Sequence, residues 1–143
     1  MNKEVKVLKA EKRVQVRFSE VDSMGIVWHG AYPLYFEDAR EEFGSLYHLE
    51  YLRMYEFGFY APLVELTFNY KRPIKHRDII NVVITYKDTD AAKILFDYEI
   101  YNVATGELVA TGHSTQVFLD RNYELVWSIP DFFIEWKKMN GII

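Results

Sequence analysis

The sequence predicts an α+β domain in which one long amphipathic helix lies across a curved antiparallel sheet. Three observations carry this expectation. One helix-period stretch covers about residues 31–47, four β-rich segments follow it between 58 and 119, and short turns join those segments, so they pair antiparallel. The length of 143 residues fits one domain over 1–143, against about 100–200 residues for an ordinary domain.

The β pattern opens at residues 12–18, KRVQVRF, where Val14, Val16 and Phe18 alternate on one face as in a half-buried strand. A loop follows, SEVDSMGIVWHG. From Tyr32 the apolar positions Tyr32, Tyr35, Phe36, Ala39, Phe43, Leu46 and Tyr47 recur every three or four residues, while Asp38, Glu41 and Glu42 fall mostly elsewhere around the helix. Pro33 suits a first turn, whose N–H groups have no intrahelical partner, so the helix is expected to start at about Gly30–Tyr32. Residues 44–55 leave room for a short second helix. The segments near 58–71, 78–88, 92–103 and 107–119 are rich in β-branched and aromatic residues, and Ala104-Thr105-Gly106 reads as the hairpin loop between the last two. The final segment, IPDFFIEWKKM, has an acid near its start and two lysines near its end, which complements the dipole of a C-terminal helix.

Composition excludes several function classes. Half the residues are hydrophobic and 27% are charged, too apolar for a disordered chain and too charged for a membrane bundle. Lys and Arg number 17 against 21 Asp and Glu, a net charge of −4, so no general field draws in nucleic acid or anionic lipid and any phosphate contact must be local. Neither nucleic-acid binding nor integral membrane association is expected. The absence of cysteine removes disulfides, thiolate zinc sites and cysteine nucleophiles; four histidines without an HxxxH pair predict no metal site. The first residues have no apolar run of signal-peptide length, so the expected compartment is the cytoplasm.

Functional residue types crowd into one stretch: Glu20, Asp22, Gly25, Trp28, His29 and Gly30 lie within eleven residues at the predicted helix start. Unpaired N–H groups there can polarise a carbonyl oxygen, and a carboxylate beside that carbonyl can act as nucleophile or general base. That arrangement suits acyl transfer. Taken alone, the spacing is equally that of a capping Asp and a half-buried polar His.

The same stretch, RVQVRFSEVDSMGIVWHGAYPLYFEDAREEFG, resembles the signature of hotdog-fold acyl-CoA thioesterases of the 4-hydroxybenzoyl-CoA thioesterase type, including the Tol-Pal-associated acyl-CoA thioester hydrolases. Arg17, Asp22, Gly25, Ile26-Val27, Trp28, His29, Tyr32, Glu37 and Ala39-Arg40 fill the pattern, and NYKRPIKHRDII resembles the family's later Tyr, Pro and Asp pattern. The resemblance covers about residues 10–120. It implies a hotdog fold, a long central helix wrapped by a curved five-stranded antiparallel sheet, paired into a homodimer with sites at the interface and often again into a homotetramer.

The resemblance further implies hydrolysis of acyl-CoA, or of acyl carrier protein thioesters, with no cofactor because coenzyme A belongs to the substrate. Asp22 would attack the thioester or activate water, with the backbone N–H groups of His29 and Gly30 holding the oxyanion and the His29 side chain assisting. Gly25, Val27, Trp28 and Tyr32 would line the substrate site. The family's basic cluster before the fourth strand is reduced here to Lys93 within KDTDAAK, so Lys71 and Arg72, with Lys75, are the other phosphate candidates. Glu65 would face the site across the interface unless it is a solvated ladder carboxylate, and Glu37, close to where a second hotdog subfamily keeps its catalytic carboxylate, is expected instead to pair with an Arg across that interface. His76 reads as a turn residue and His113 as a sheet residue. Two alternatives share the fold: a non-catalytic acyl-thioester-binding protein, and a hydratase or dehydratase.

Overall fold

A computed structural model describes residues 7–143. The chain runs β1 (Lys9–Gln15), a 3-10 turn Phe18–Glu20, a second 3-10 turn His29–Ala31, α1 (Tyr32–Tyr47), α2 (Tyr51–Glu56), β2 (Leu63–Tyr70), β3 (Ile79–Lys87), β4 (Lys93–Asn102), β5 (Leu108–Val117) and α3 (Asp131–Met139). The five strands form one antiparallel sheet in the order β1-β3-β4-β5-β2. This is the α+β hotdog architecture, a sheet wrapped around one long helix.

The side-chain period of two makes one sheet face apolar. Ile80, Val82, Ile84 and Tyr86 of β3 and Ile94, Phe96, Tyr98 and Ile100 of β4 are buried against α1, whose Tyr32, Tyr35, Phe36, Ala39 and Phe43 supply the facing stripe. Each ring or branched side chain so buried contributes roughly 1.5–3 kcal/mol. Helix and sheet approach closely at Gly112 of β5, where an added Cβ would lie 2.8 Å from the Phe36 ring. Only glycine lets the sheet curl this tightly onto α1.

The helix starts where Pro33 predicted, and it stops at His48, whose φ of 59° lets its N–H reach the Gly44 carbonyl. Asn102 builds the hairpin at residues 104–106 by accepting the N–H groups of Ala104 and Thr105 on Oδ1. The first strand departs from expectation. It spans Lys9–Gln15 rather than 12–18, because its ladder with β3 ends at Gln15↔Ile79. Val14 and Val16 are buried as their alternation required, but Phe18 has left the sheet to open a 3-10 turn and is 78% exposed.

Candidate active site

The loop between β1 and α1 is a small hairpin. Val21 bridges Val27, the Trp28 N–H donates to the Glu20 carbonyl (3.0 Å), and the Asp22 N–H donates to the Ile26 carbonyl (2.9 Å). Gly25 forms the tip with φ of 77°, a conformation that side chains rarely adopt, and its N–H returns to the Asp22 carbonyl (3.0 Å). The returning arm lies along residues 74–76, with the Val27 N–H on the Ile74 carbonyl (2.7 Å) and the His76 N–H on the Gly25 carbonyl (3.2 Å). These bonds hold Asp22 on one arm close to the start of α1 on the other.

Beside this hairpin opens a cleft of about 380 Å³. Asp22, Val27, Trp28, His29 and Tyr32 form one wall, and Tyr70, Lys71, Arg72 and Pro73 from the end of β2 form the other. Asp22 Oδ1 accepts the Met24 N–H (2.8 Å), which orients the carboxylate. His29 begins the 3-10 turn that leads into α1, and its N–H and that of Gly30 meet no protein acceptor among the described residues, as the opening of a helix dictates. The Trp28 indole, 44% exposed, covers Gly30 so closely that any Cβ there would overlap the ring. It also meets the His29 imidazole edge-on at 5.4 Å. Gly30 is thus required for the tryptophan to lie flat over the helix start.

Two tyrosines close the apolar side. The Tyr32 and Tyr70 rings meet edge-to-face at 4.7 Å, and the Tyr70 hydroxyl donates to the His29 carbonyl (3.3 Å). Burial, with Tyr70 beside it, pushes the Tyr32 hydroxyl up to about 12, and burial also raises Tyr70. Both are neutral donors at physiological pH. Lys71 is exposed and forms no salt bridge among the described residues, whereas Arg72 is paired with Glu107. No three His, Asp or Glu side chains among the described residues converge as metal ligands would.

Asp22, Val27, Trp28, His29, Tyr32, Lys71 and Arg72 therefore share one cleft. Gly25 and Gly30 do not line it; they shape the backbone that does. Lys93 and Glu65 stand elsewhere in the chain, Lys93 opposite Val117 at the start of β4 and Glu65 opposite Thr115 on β2, each on the sheet face turned away from α1. Glu37, 53% exposed, pairs within the chain with Arg40 one turn along its own helix. His76 is an exposed turn residue, and His113 is a sheet residue bound to Asp97 (2.8 Å). Sequence reasoning missed Tyr70, Ile26 and Pro73 as cleft residues. Tyr70 had a usable signal, since it continues the Leu66, Phe68 alternation toward the helix side.

A hotdog sheet with a carboxylate-bearing hairpin delivered to the start of its central helix defines a thioesterase-type protein. The family model described as the thioesterase-like superfamily matches residues 16–137, and the chain belongs to that family. The Bacillus subtilis (strain 168) protein YneP, named for acyl-CoA thioesterase activity, is 30% identical over 90% of this chain and 96% of its own length. An acyl-acyl carrier protein thioesterase of Arabidopsis thaliana, ATL3, is 28% identical over 93% of this chain and 72% of its own length. Among solved structures, the DHNA-CoA thioesterase from Staphylococcus aureus superposes with a TM-score of 0.81 at 25% identity, covering 94% of this chain and 92% of that one. The protein is a thioester hydrolase. No helix among the described residues is long and apolar enough to cross a membrane.

Proposed function

We propose that the protein hydrolyses an acyl-CoA thioester with Asp22 as nucleophile or general base and the N–H groups of His29 and Gly30 as the oxyanion donors. The observation that carries this reading is the meeting, at one cleft, of the Asp22 carboxylate with the helix start at His29, whose N–H, like that of the adjoining Gly30, has no protein acceptor among the described residues. The thioester carbonyl would lie against those N–H groups, which stabilise the negative charge that forms on its oxygen. Asp22 would either attack the carbonyl carbon, to give a mixed anhydride that water then opens, or take a proton from a water that attacks directly. Either route consumes one water and releases a carboxylic acid and the thiol of coenzyme A. The His29 imidazole, exposed beside the cleft, would contact the bound substrate.

Lys71 is the cation best placed for the nucleotide phosphates, with Arg72 next to it. Val27, Trp28, Tyr32 and Tyr70 offer the apolar and aromatic wall. Glu65 and Lys93, on the opposite sheet face, would reach a bound substrate only from a second copy. A homodimer, and a tetramer built from it, fits a fold whose β2 edge has no neighbouring strand among the described residues. A cytoplasmic setting goes with this substrate.

The test is release of free thiol from a panel of acyl-CoAs by the wild type, Asp22→Asn and Asp22→Ala. Turnover that falls by about 10²- to 10⁴-fold in both variants, the contribution of a positioned carboxylate, supports the reading. Full activity in Asp22→Ala overturns it. Single turnover in ¹⁸O-water separates the two routes, since only an anhydride leaves label in the Asp22 carboxylate. Turnover of acyl carrier protein thioesters alone would move the substrate from coenzyme A to the carrier, and tight acyl-CoA binding without turnover would favour a binding protein.

A further inference from the structure

Glu20 is a carboxylate that the thioester chemistry does not use, yet it is only 8% exposed. No salt bridge among the described residues reaches it. A carboxylate withdrawn from water with no cation to offset its charge is costly unless hydrogen bonds satisfy it. Its Oε1 accepts two, from the Arg17 N–H (2.8 Å) and from the Tyr35 hydroxyl (3.1 Å). Tyr35 is wholly buried on α1, one turn beyond the helix start. Burial, reinforced by the Glu20 charge, raises the Tyr35 hydroxyl far above the ordinary phenol range, so it remains the donor.

The backbone of the same residue closes the base of the loop. The Glu20 carbonyl takes the Trp28 N–H (3.0 Å), and Asp22 follows two residues later on the same arm. One residue therefore joins three parts: the end of β1 through Arg17, the helix through Tyr35, and both arms of the hairpin through its own main chain. Asp22 and the N–H groups of His29 and Gly30 sit on opposite arms of that hairpin. The backbone bonds of the hairpin set their separation, and the Glu20 side chain ties the base of that hairpin to Tyr35 of α1.

We propose that Glu20 is the positioning residue of the active site, fixing the Asp22 hairpin against the start of α1 through the Tyr35 hydroxyl and the Arg17 N–H. This rests on the reading of Asp22 as the catalytic carboxylate. Besides its own backbone ladder, the hairpin is held along residues 74–76 and by the Tyr70 hydroxyl on the His29 carbonyl, so loss of the Glu20 side-chain bonds should let the arm that carries Asp22 shift relative to α1 and the oxyanion donors while leaving the cleft that binds substrate in place. The effect then falls on kcat and not on KM.

The experiment measures kcat and KM of the full chain with an acyl-CoA that the wild type turns over, for Glu20→Ala, Glu20→Gln, Tyr35→Phe and Asp22→Asn, with a thermal melt of each. Misplacement of a reacting group by about 1 Å costs about 10²-fold, so Glu20→Ala is expected to lose about 10²-fold in kcat and Tyr35→Phe about tenfold, each with KM within about threefold. Glu20→Gln keeps an oxygen for both donors and is expected to return kcat to within about threefold of wild type. Wild-type kcat in Glu20→Ala and Tyr35→Phe, with only the melting temperature lowered, overturns the proposal, as does a change confined to KM. If Glu20→Ala does not fold, Tyr35→Phe decides, since it keeps the ring in the core and removes one hydroxyl. Inactive Asp22→Asn beside fully active Glu20 variants leaves the catalytic reading standing and removes the positioning role alone; active Asp22→Asn overturns both.

Discussion

The two ends of α1 are built on opposite principles. At its start, backbone donors of His29 and Gly30 are left without protein partners, Trp28 is 44% exposed, and the nearby Asp22 is only partly covered. At its far end several polar groups have partners within the chain. The Trp136 indole N–H of α3 donates to the Tyr47 carbonyl (2.8 Å), and His48 closes the last turn onto Gly44. Lys137, 3% exposed, bonds to Asp88 and to the Thr89 carbonyl, each at 2.8 Å, with its ammonium 5.3 Å above the Phe133 ring. Phe43, Tyr86, Phe133 and Trp136 pack around that end. An open backbone donor costs stability unless a ligand satisfies it, and at the start of α1 a bound substrate would be placed to do so.

The comparison breaks most sharply with one substitution at each end. Asp22→Ala is expected to lower turnover by about 10²- to 10⁴-fold, and as a partly exposed residue it should leave thermal stability nearly unchanged. Trp136→Ala is expected to do the reverse, costing about 3–5 kcal/mol of stability by cavity formation while the folded fraction keeps its kcat. Parallel chemical denaturation and thiol-release assays check both; a Trp136→Ala variant with normal stability would show that α3 is not the anchor described above. Within the anchor, Lys137→Ala is expected to cost about 1.5–3 kcal/mol because the charged hydrogen bond to Asp88 is lost, and Lys137→Met should recover only the packing part, since it too leaves Asp88 and the Thr89 carbonyl without their donor.

The site end was more legible in the sequence than the anchor. Asp22, Trp28 and His29 stand out as candidates through the family resemblance rather than through residue type alone, and the 3.6-residue period of Tyr32 to Tyr47 located the helix start beside them to within a residue or two. Lys137 did not, because a lysine near a helix end reads as a complement to the dipole. Its ion pair depends on the β3–β4 turn, which no local pattern connects to α3. Tyr70 belongs to a face that alternation reveals, but that this face ends at the cleft is a fact of the sheet order, in which β2 is the strand next to β5 and not to β3. The end of β1 was misjudged for a related reason: alternation continues to Phe18 in the sequence, and only the ladder with β3 stops it at Gln15.

Alkali tests both ends together. Tyr32 near the site and Tyr86 at the anchor are both raised, Tyr32 to about 12, by burial first, with Asp88 adding to the effect at Tyr86. A phenol whose folded value lies above its unfolded value of about 10 stabilises the neutral folded form, so its contribution is fully present below pH 10. For Tyr32 it is lost as pH rises from 10 to about 12. Unfolding free energy is therefore expected to fall through this window, and tyrosinate absorbance should rise late and together with the loss of near-ultraviolet circular dichroism. Tyr32→Phe should flatten the fall, by about 1–2 kcal/mol at the top of the window. Ionisation of all eleven tyrosines at their ordinary value in a still folded chain would show that neither end is closed to water.

The smallest expected effect concerns the rim of the cleft, where Arg72 is held by Glu107 and both side chains are well exposed. An exposed pair of this kind is worth about 0–1 kcal/mol, so Glu107→Gln should leave stability where it was. If Arg72 meets the substrate's phosphates, releasing it from Glu107 removes a competing anion and lowers KM for acyl-CoA by about two- to fivefold at low salt, the equivalent of that same interaction. The gain should shrink at high salt, because exposed charges are screened over about 10 Å at 0.1 M ionic strength and over less as salt rises. Because the substitution lies away from Asp22 and the helix start, kcat should not move. An unchanged KM at every ionic strength would leave Lys71 as the phosphate contact on this wall and Arg72 as a member of a surface ion pair and nothing more.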